Sequence, residues 1–345
     1  MAVFSRTTQQ IMNYYSTITG LGFYVPENLV TNHDLEKHME TSDAWIRERS
    51  GIEQRYFFTE GKDTVSKMGA RAAEVALERA GLAPQDIDFI IFATLSPDYN
   101  FPGSGVLLQR ELPFREIGAL DVRTQCTGFI YGLSIADQFI KSGMYKNILV
   151  VGAEIQSNVF EMSTRGRDFA VLFGDGAGAA VVQRTEDPTY RILSTHLHSE
   201  GKYAEDLILE HPGSNLKNRM SVELIEQGKH LPYMKGNAVF KHAVSRFPEV
   251  IHEALQANNL QVSDLDMLVP HQANLRISKA VQDVLSLPDD KVYNNIQRYG
   301  NTTAATIPIA LSELWEANRL KRGDLVCLAA FGSGFTWASA LLRWA

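Results

Sequence analysis

The sequence predicts an α/β fold assembled from two duplicated halves. Three internal matches carry that reading. Residues 76–91 resemble 254–269: Ala76, Leu77, Leu82, Asp86 and Asp88 return as Ala254, Leu255, Leu260, Asp264 and Asp266, at an offset of 178. The apolar run 147–153 resembles 324–330 at an offset of 177. The glycine-rich turn Phe173-Gly174-Asp175-Gly176 resembles Phe331-Gly332-Ser333-Gly334 at 158, so the first half carries extra residues before its turn.

The elements follow in order. Each copy of the first match reads as a helix end, a turn at Gly81 or Asn259, and a short apolar strand. Asp86 and Asp88, with Asp264 and Asp266, read as turn-capping acids rather than catalytic ones. Residues 117–122 predict a strand and 128–141 a helix. The runs at 147 and 324 predict strands that follow helices, and each glycine-rich turn leads into a further strand. Strands alternating with helices imply parallel sheets covered by helices. The halves divide as 1–185 and 236–345, joined by a connecting segment 186–235. Within it, 200–233 has no counterpart, is polar and contains Pro and Gly, so it reads as an insertion or cap over a site.

Composition narrows the class. The chain has 345 residues, 45% hydrophobic and 21% charged, as expected of an ordinary globular protein. That length suits two domains or one large layered one. Its net charge of −7 argues against general nucleic-acid affinity. The apolar run 89–93 is too short to span a bilayer. Residues 1–15 are polar and lack a signal-peptide core. Two cysteines offer no disulfide framework, which suits a reducing cytoplasm.

Those cysteines differ in their setting. Cys327 aligns with Val150 inside an apolar strand and reads as core. Cys126 lies between the strand 117–122 and the helix 128–141. A thiol at the first turn of a helix meets the positive end of the macrodipole and unpaired N–H groups. Both favour thiolate, the nucleophilic form, so a depressed pKa is expected. The competing reading is a buried apolar cysteine. The repeat adds information: the counterpart region is 300–304, at the start of a helix over 304–317, which puts Asn301 near that helix's N-terminus. His271 aligns with Ala93, at the end of the strand 265–269. Ligands in open parallel sheets bind outside the carboxyl ends of strands. Cys126, His271 and Asn301 are therefore expected to converge where the halves meet.

A Cys, a His and an Asn can serve two chemistries. In a hydrolytic triad the His takes the thiol proton and the Asn orients the His. In acyl transfer to carbon the thiolate takes an acyl group from a thioester. His and Asn then donate to the carbonyl oxygen of a second thioester as it loses CO₂. The backbone at Ser333 can supply an N–H to the oxyanion on the acylated Cys126.

The motifs around these residues resemble one family. Thr124-Gln125-Cys126-Thr127-Gly128, Gly174-Asp175-Gly176, His271-Gln272-Ala273-Asn274, Gly300-Asn301-Thr302 and Gly332-Ser333-Gly334 are similar to β-ketoacyl-acyl-carrier-protein synthase III, of the thiolase superfamily. The resemblance spans about 16–343. It implies a five-layer αβαβα fold, a homodimer, and decarboxylating condensation of an acyl-CoA primer with a malonyl thioester on acyl carrier protein. Cys126 is then the acylated residue, with His271 and Asn301 driving decarboxylation and no bound cofactor or metal. Trp45, Arg49 and Arg167 match residues that hold the CoA nucleotide, and Gly236 and Asn237 a wall of the pantetheine tunnel. Asn274, grouped with the CoA-binding residues, matches a residue that holds the catalytic His through water or backbone. Phe101 matches the residue that closes the partner's primer pocket. Lys241, Arg276 and Lys279 match positions that dock the carrier protein.

Departures bear on specificity. Ser333 replaces a usual glycine, and Arg123-Thr124-Gln125 replaces a run of alanines before the nucleophile. Asp283 follows Arg276 and Lys279, which weakens a basic docking face. The alternative function is a relative on the same fold that transfers or joins acyl groups in secondary metabolism. A thiolase needs a second catalytic Cys, and Cys327 is on a core strand. A partner subunit without activity would have lost the nucleophile. His196 and His198 share a strand face but lack further metal ligands. The glycines at 174–178 lack the strand-to-helix context of a dinucleotide fingerprint.

Overall fold

Repeated local chemistry starts and stops the elements of both halves. The computed structural model describes residues 14–345, so most of the stretch 1–15 lies outside the described residues. The first half runs β1 (Tyr15–Tyr24), α1 (Asp43–Ser50), α2 (Val65–Ala80), β2 (Phe89–Ala93), α3 (Ser104–Glu111), β3 (Gly118–Val122), α4 (Gly128–Lys141), β4 (Asn147–Glu154) and β5 (Gly176–Thr185). The second runs β6 (Ile192–Ser199), α5 (Gly236–Ala257), β7 (Met267–Pro270), α6 (Leu275–Leu285), α7 (Thr306–Glu316), β8 (Leu325–Gly332) and β9 (Thr336–Arg343).

The repeated acids do the same work twice. Asp86 accepts the N–H of Ala83 at 2.8 Å, and Asp264 that of Gln261 at 2.8 Å. Asp88 accepts the N–H of Asn147 at the start of β4, and Asp266 that of Leu325 at the start of β8. These bonds satisfy backbone donors at turns and fix where the next strand begins. The chain reverses after α2 and α5 with Gly81 at φ 66° and Asn259 at φ 56°, the left-handed conformation that Gly and Asn tolerate best.

The first sheet has the order β1–β5–β4–β2–β3 and the second β7–β8–β9–β6. Neither is purely parallel. β2 runs parallel to β3 and β4, and β7 to β8, but β5 and β9 are antiparallel to β4 and β8. In the second sheet the short turn between β8 and β9 can join only antiparallel neighbours; in the first, β4 and β5 are antiparallel although the longer segment 155–175 links them. β6, placed by the sequence in the connecting segment, pairs with β9 as an edge strand of the second sheet. The region 200–233 forms a small annex in which Leu207–Ile208 pairs with Tyr233–Met234.

Helices cover and separate the sheets in five layers. α2 and α3 lie outside the first sheet, α5 and α6 outside the second, and α4 and α7 between them. The inner core joins Ile91, Val150 and Val182 of one sheet to Val269, Leu328 and Ala340 of the other, around Phe129 and Leu133 of α4 and Ile307 and Leu311 of α7. Cys327 is fully buried, but on the opposite face, among Leu268, Ala329 and Phe247 under α5. Its counterpart by face is Leu149, not Val150. A one-residue slip in a strand alignment exchanges the two faces.

The halves meet at two matching elbows. One-turn 3₁₀ helices at Gln125–Thr127 and Thr303–Ala305 lead into α4 and α7. Each begins with a non-glycine residue at positive φ, Gln125 at 45° and Thr303 at 53°. Each elbow packs on the other half's strand: the Cys126 elbow on β8, the Ala304 elbow on β4. Glycines make that approach possible. A Cβ on Gly332 would lie 2.7 Å from the Cys126 Cβ, and one on Gly152 would lie 2.4 Å from the Ala304 carbonyl oxygen. Gly152→Ala should therefore destabilise the fold by about 1–3 kcal/mol in urea denaturation. Gly201→Ala, where an added Cβ meets nothing within 4 Å, should leave the midpoint nearly unchanged.

Candidate active site

A cleft of about 390 Å³ opens beside the elbows, lined among others by Trp45, Arg49, Cys126, Leu207, Gly236, Asn237, Phe240, His271, Asn274, Arg276 and Asn301. The three residues expected to converge therefore do. They form its buried end, with Cys126 at 9%, His271 at 3% and Asn301 at 6% exposure.

Each side chain is held from behind. The His271 N–H donates to the Ala329 carbonyl at 2.8 Å, extending β7 by one residue. Its Nδ1 lies 2.7 Å from Thr306 Oγ1, and its Nε2 is buried without a partner among the described residues. Burial holds the imidazole pKa down to about 3, so the ring is neutral. The Asn301 N–H donates to Leu172 O at 2.8 Å. Its Oδ1 accepts the Thr303 N–H at 2.8 Å, which leaves the amide hydrogens free to donate. A neutral ring and an amide, both with unengaged nitrogens at one buried end, suit an incoming carbonyl oxygen.

Cys126 departs from expectation in one respect. It sits at the helix start as predicted, but its pKa is raised, not depressed, to about 12. Burial is the main cause and the Glu154 carboxylate the second; the N–H groups of Cys126 and Ser333 oppose them. Desolvation outweighs the helix terminus. Cys327 is raised to about 12 by burial alone. At pH 7 both are thiols, and they differ in access, since only Cys126 lines the cleft. Alkylation of Cys126 by iodoacetamide in the ligand-free protein should accelerate about tenfold per pH unit from 7 to 10, with Cys327 unlabelled by peptide mass analysis. A rate that levels off below pH 8 would show a stabilised thiolate instead.

Ser333 keeps the turn intact despite replacing a glycine, because the positive φ falls on Gly334, at 135°. Its N–H acts on the Cys126 sulfur, and its Oγ donates to the Leu207 carbonyl at 2.6 Å. That bond ties the 200–233 annex to the site. Trp45 stacks with two guanidiniums, Arg49 at 4.3 Å and Arg167 at 4.7 Å from the ring centroid. Arg167 does not line the cleft itself and donates to the Glu40 carbonyl at 2.7 Å.

Asn274 makes no direct side-chain hydrogen bond to His271 among the described residues. Its Oδ1 caps α6 by accepting the Arg276 N–H at 2.9 Å, and its Nδ2 donates to the Arg49 carbonyl at 3.0 Å. Thr306 makes the direct side-chain contact to His271. Arg276, Lys241 and Lys279 are exposed on α5 and α6, and Arg276 also lines the cleft. Phe101 is 85% exposed and apart from its own chain's cleft. His196 and His198 share a face, as expected, and both contact the Glu253 carboxylate, at 3.3 and 2.6 Å.

Sequence reasoning missed Thr306 and Glu154. Thr306 lies five residues beyond Asn301 and opens α7. Glu154 ends β4 and carried no signal. It is fully buried and accepts from Thr94, Leu95, Ser96 and Gln156, yet burial raises its pKa to about 7. A raised carboxyl binds its proton more tightly folded than unfolded. Its stabilisation is complete below the unfolded value of about 4.5 and is lost as pH rises through about 7. The stability of the wild type relative to Glu154→Gln should fall by about 3 kcal/mol over that window, read from urea denaturation at several pH values. A constant difference would refute the shift.

The layered, duplicated fold and a Cys–His–Asn cleft define the class of thiolase-like condensing enzymes. Comparison with known proteins narrows the class. Residues 120–201 match the family described as 3-Oxoacyl-[acyl-carrier-protein (ACP)] synthase III, and 255–344 match its C-terminal counterpart. Beta-ketoacyl-[acyl-carrier-protein] synthase III of Sulfurovum sp. is 42% identical over 96% of this chain and 96% of its own. The crystal structure of 3-oxoacyl-[acyl-carrier-protein] synthase III from Aquifex aeolicus is 43% identical, covers 95% of this chain and all of its own, and superposes with a TM-score of 0.87. A priming β-ketosynthase from the R1128 polyketide pathway is 32% identical over 96% of each chain, with a TM-score of 0.86. The chain belongs to the β-ketoacyl-acyl-carrier-protein synthase III family.

Proposed function

We propose that the protein condenses an acyl-CoA primer with a malonyl thioester on acyl carrier protein and so initiates an acyl chain. The observation that carries this reading is the pair of unengaged side-chain nitrogens, His271 Nε2 and Asn301 Nδ2, at the cleft end that holds Cys126. In the first step the Cys126 sulfur bonds the primer carbonyl, the CoA C–S bond breaks, and CoA leaves as the thiol. In the second, the malonyl carboxylate leaves as CO₂ and its bonding electrons form an enolate. His271 and Asn301 donate to that enolate oxygen. The enolate carbon attacks the acyl-Cys126 carbonyl, whose oxyanion receives N–H bonds from Cys126 and Ser333. The C–S bond then breaks and Cys126 regains a proton.

The remaining residues fit substrates of this chemistry. Trp45, Arg49 and Arg167 offer an aromatic face and two cations to a nucleotide, with Gly236 and Asn237 along the approach to Cys126. Arg276, Lys241 and Lys279 offer exposed cations to an acidic carrier protein. A homodimer is proposed from the edge of the first sheet. β3 is an edge strand, and Leu120 upon it, Val106 of α3, and Tyr99 and Phe101 of the preceding loop are large exposed apolar side chains. A second copy would cover them and bring Phe101 to the partner's primer pocket. The segment Arg123-Thr124-Gln125 and the likeness to a priming ketosynthase keep a secondary-metabolite primer as the second reading.

Two measurements test the proposal. Intact mass after incubation with acetyl-, butyryl-, octanoyl- and lauroyl-CoA should show one acyl group on Cys126, and the preferred primer separates the two readings. His271→Ala and Asn301→Ala should still accept that acyl group but release CO₂ from malonyl thioester more slowly, by on the order of 10²-fold each. Near-normal CO₂ release by Asn301→Ala would exclude the proposed role.

A further inference from the structure

We propose that Thr306 is a positioning residue that fixes His271 in the tautomer carrying its proton on Nε2, making the ring a dedicated hydrogen-bond donor and not a base. The inference rests on the function proposed above and deepens it. Thr306 opens α7 and is 2% exposed. Its Oγ1 lies 2.7 Å from His271 Nδ1 and 3.0 Å from the Thr303 carbonyl oxygen. One hydroxyl proton cannot serve both acceptors. The Thr303 carbonyl already accepts the Thr306 backbone N–H, so it is satisfied without the hydroxyl. Among the described residues, His271 Nδ1 has no side-chain or backbone partner except Thr306. With that carbonyl already satisfied, the hydroxyl goes to the nearer atom, His271 Nδ1. Nδ1 is then the acceptor, and the hydrogen of the neutral ring sits on Nε2, the atom the fold leaves unpartnered.

The same turn orients both donors. The Thr303 N–H holds Asn301 Oδ1 and so turns the amide hydrogens outward. Three residues on, Thr306 holds His271 Nδ1 and so places a hydrogen on Nε2. The reverse arrangement, with Nδ1–H donating to Thr306 and Thr306 to Thr303, would present a bare lone pair to the enolate oxygen. A consequence follows for the first half-reaction. The Cys126 S–H bond and the CoA C–S bond break, a new C–S bond forms, and the thiol proton ends on the CoA sulfur without residing on His271.

The test uses the full chain labelled with ¹⁵N-histidine, His271→Ala identifying the signal. Wild type should show the Nε2-protonated nitrogen pattern. Thr306→Val, which keeps the branched shape and removes the hydroxyl, should shift the pattern toward Nδ1–H. It should also slow CO₂ release from malonyl thioester by on the order of 10–10²-fold, while acylation of Cys126 by acyl-CoA stays within about twofold. Thr306→Ser should restore both the pattern and the rate. An Nδ1-protonated wild type, or a Thr306→Val protein that loses acylation and CO₂ release equally, would overturn the inference. If the wild type neither takes an acyl group nor releases CO₂, the proposed function fails, while the nitrogen spectrum still decides the tautomer.

Discussion

The contact on which the site depends is the approach of Gly332 to Cys126, closer than any side chain on residue 332 would allow. The nucleophile belongs to one half and the strand that presses on it to the other. The reciprocal contact, Gly152 against Ala304, holds the second elbow in the same way. Interlocking across the seam places Cys126, His271 and Asn301 together although they lie on three separate segments. It also explains the backbone conformations at Gln125 and Thr303. Each chain must turn sharply to enter a helix while its elbow stays against a foreign strand, and surrounding contacts hold the less favoured left-handed geometry.

That closeness buries the site. Burial drives the thiol and the imidazole both to their neutral forms. The groups gathered there are neutral donors: an imidazole N–H, a carboxamide, and backbone N–H groups. Such donors act most strongly on charge that appears during reaction, because little solvent competes for it. The cost is a nucleophile that is not ionised at rest.

Buried ionisable groups behind the site serve the backbone. Asp175 accepts the N–H groups of Phe58, Gln156 and Ser157, and Glu154 gathers the start of the loop that carries Phe101. Arg55 is fully buried, donates to Asn32 Oδ1 and to the Val171 carbonyl at 2.8 Å each, and has its pKa lowered to about 10 by burial. It thereby holds the segment whose Val171, Leu172 and Phe173 line the cleft. These groups join the extra residues of the first half to the strands, so the insertion in the repeat becomes one wall of the site.

Periodicity and internal repetition determined the duplicated architecture, the helix at 128–141 to both of its ends, the capping acids, the buried Cys327 and the meeting of Cys126, His271 and Asn301. These depend on local turn chemistry and on alternation along the chain, which one sequence carries. Four things were decided only in three dimensions. The sheets are mixed, because the direction of a strand depends on how its connection crosses the fold, a short turn between β8 and β9 but the long segment 155–175 between β4 and β5. Cys327 faces the outer layer, because a one-residue slip in the repeat is invisible until the strands are paired. Thr306 makes the direct side-chain contact to His271, because that contact joins the end of β7 to the start of α7 across the fold. The thiol pKa rises, because a helix terminus is legible in sequence whereas the burial of Cys126 depends on residues from both halves packing against it.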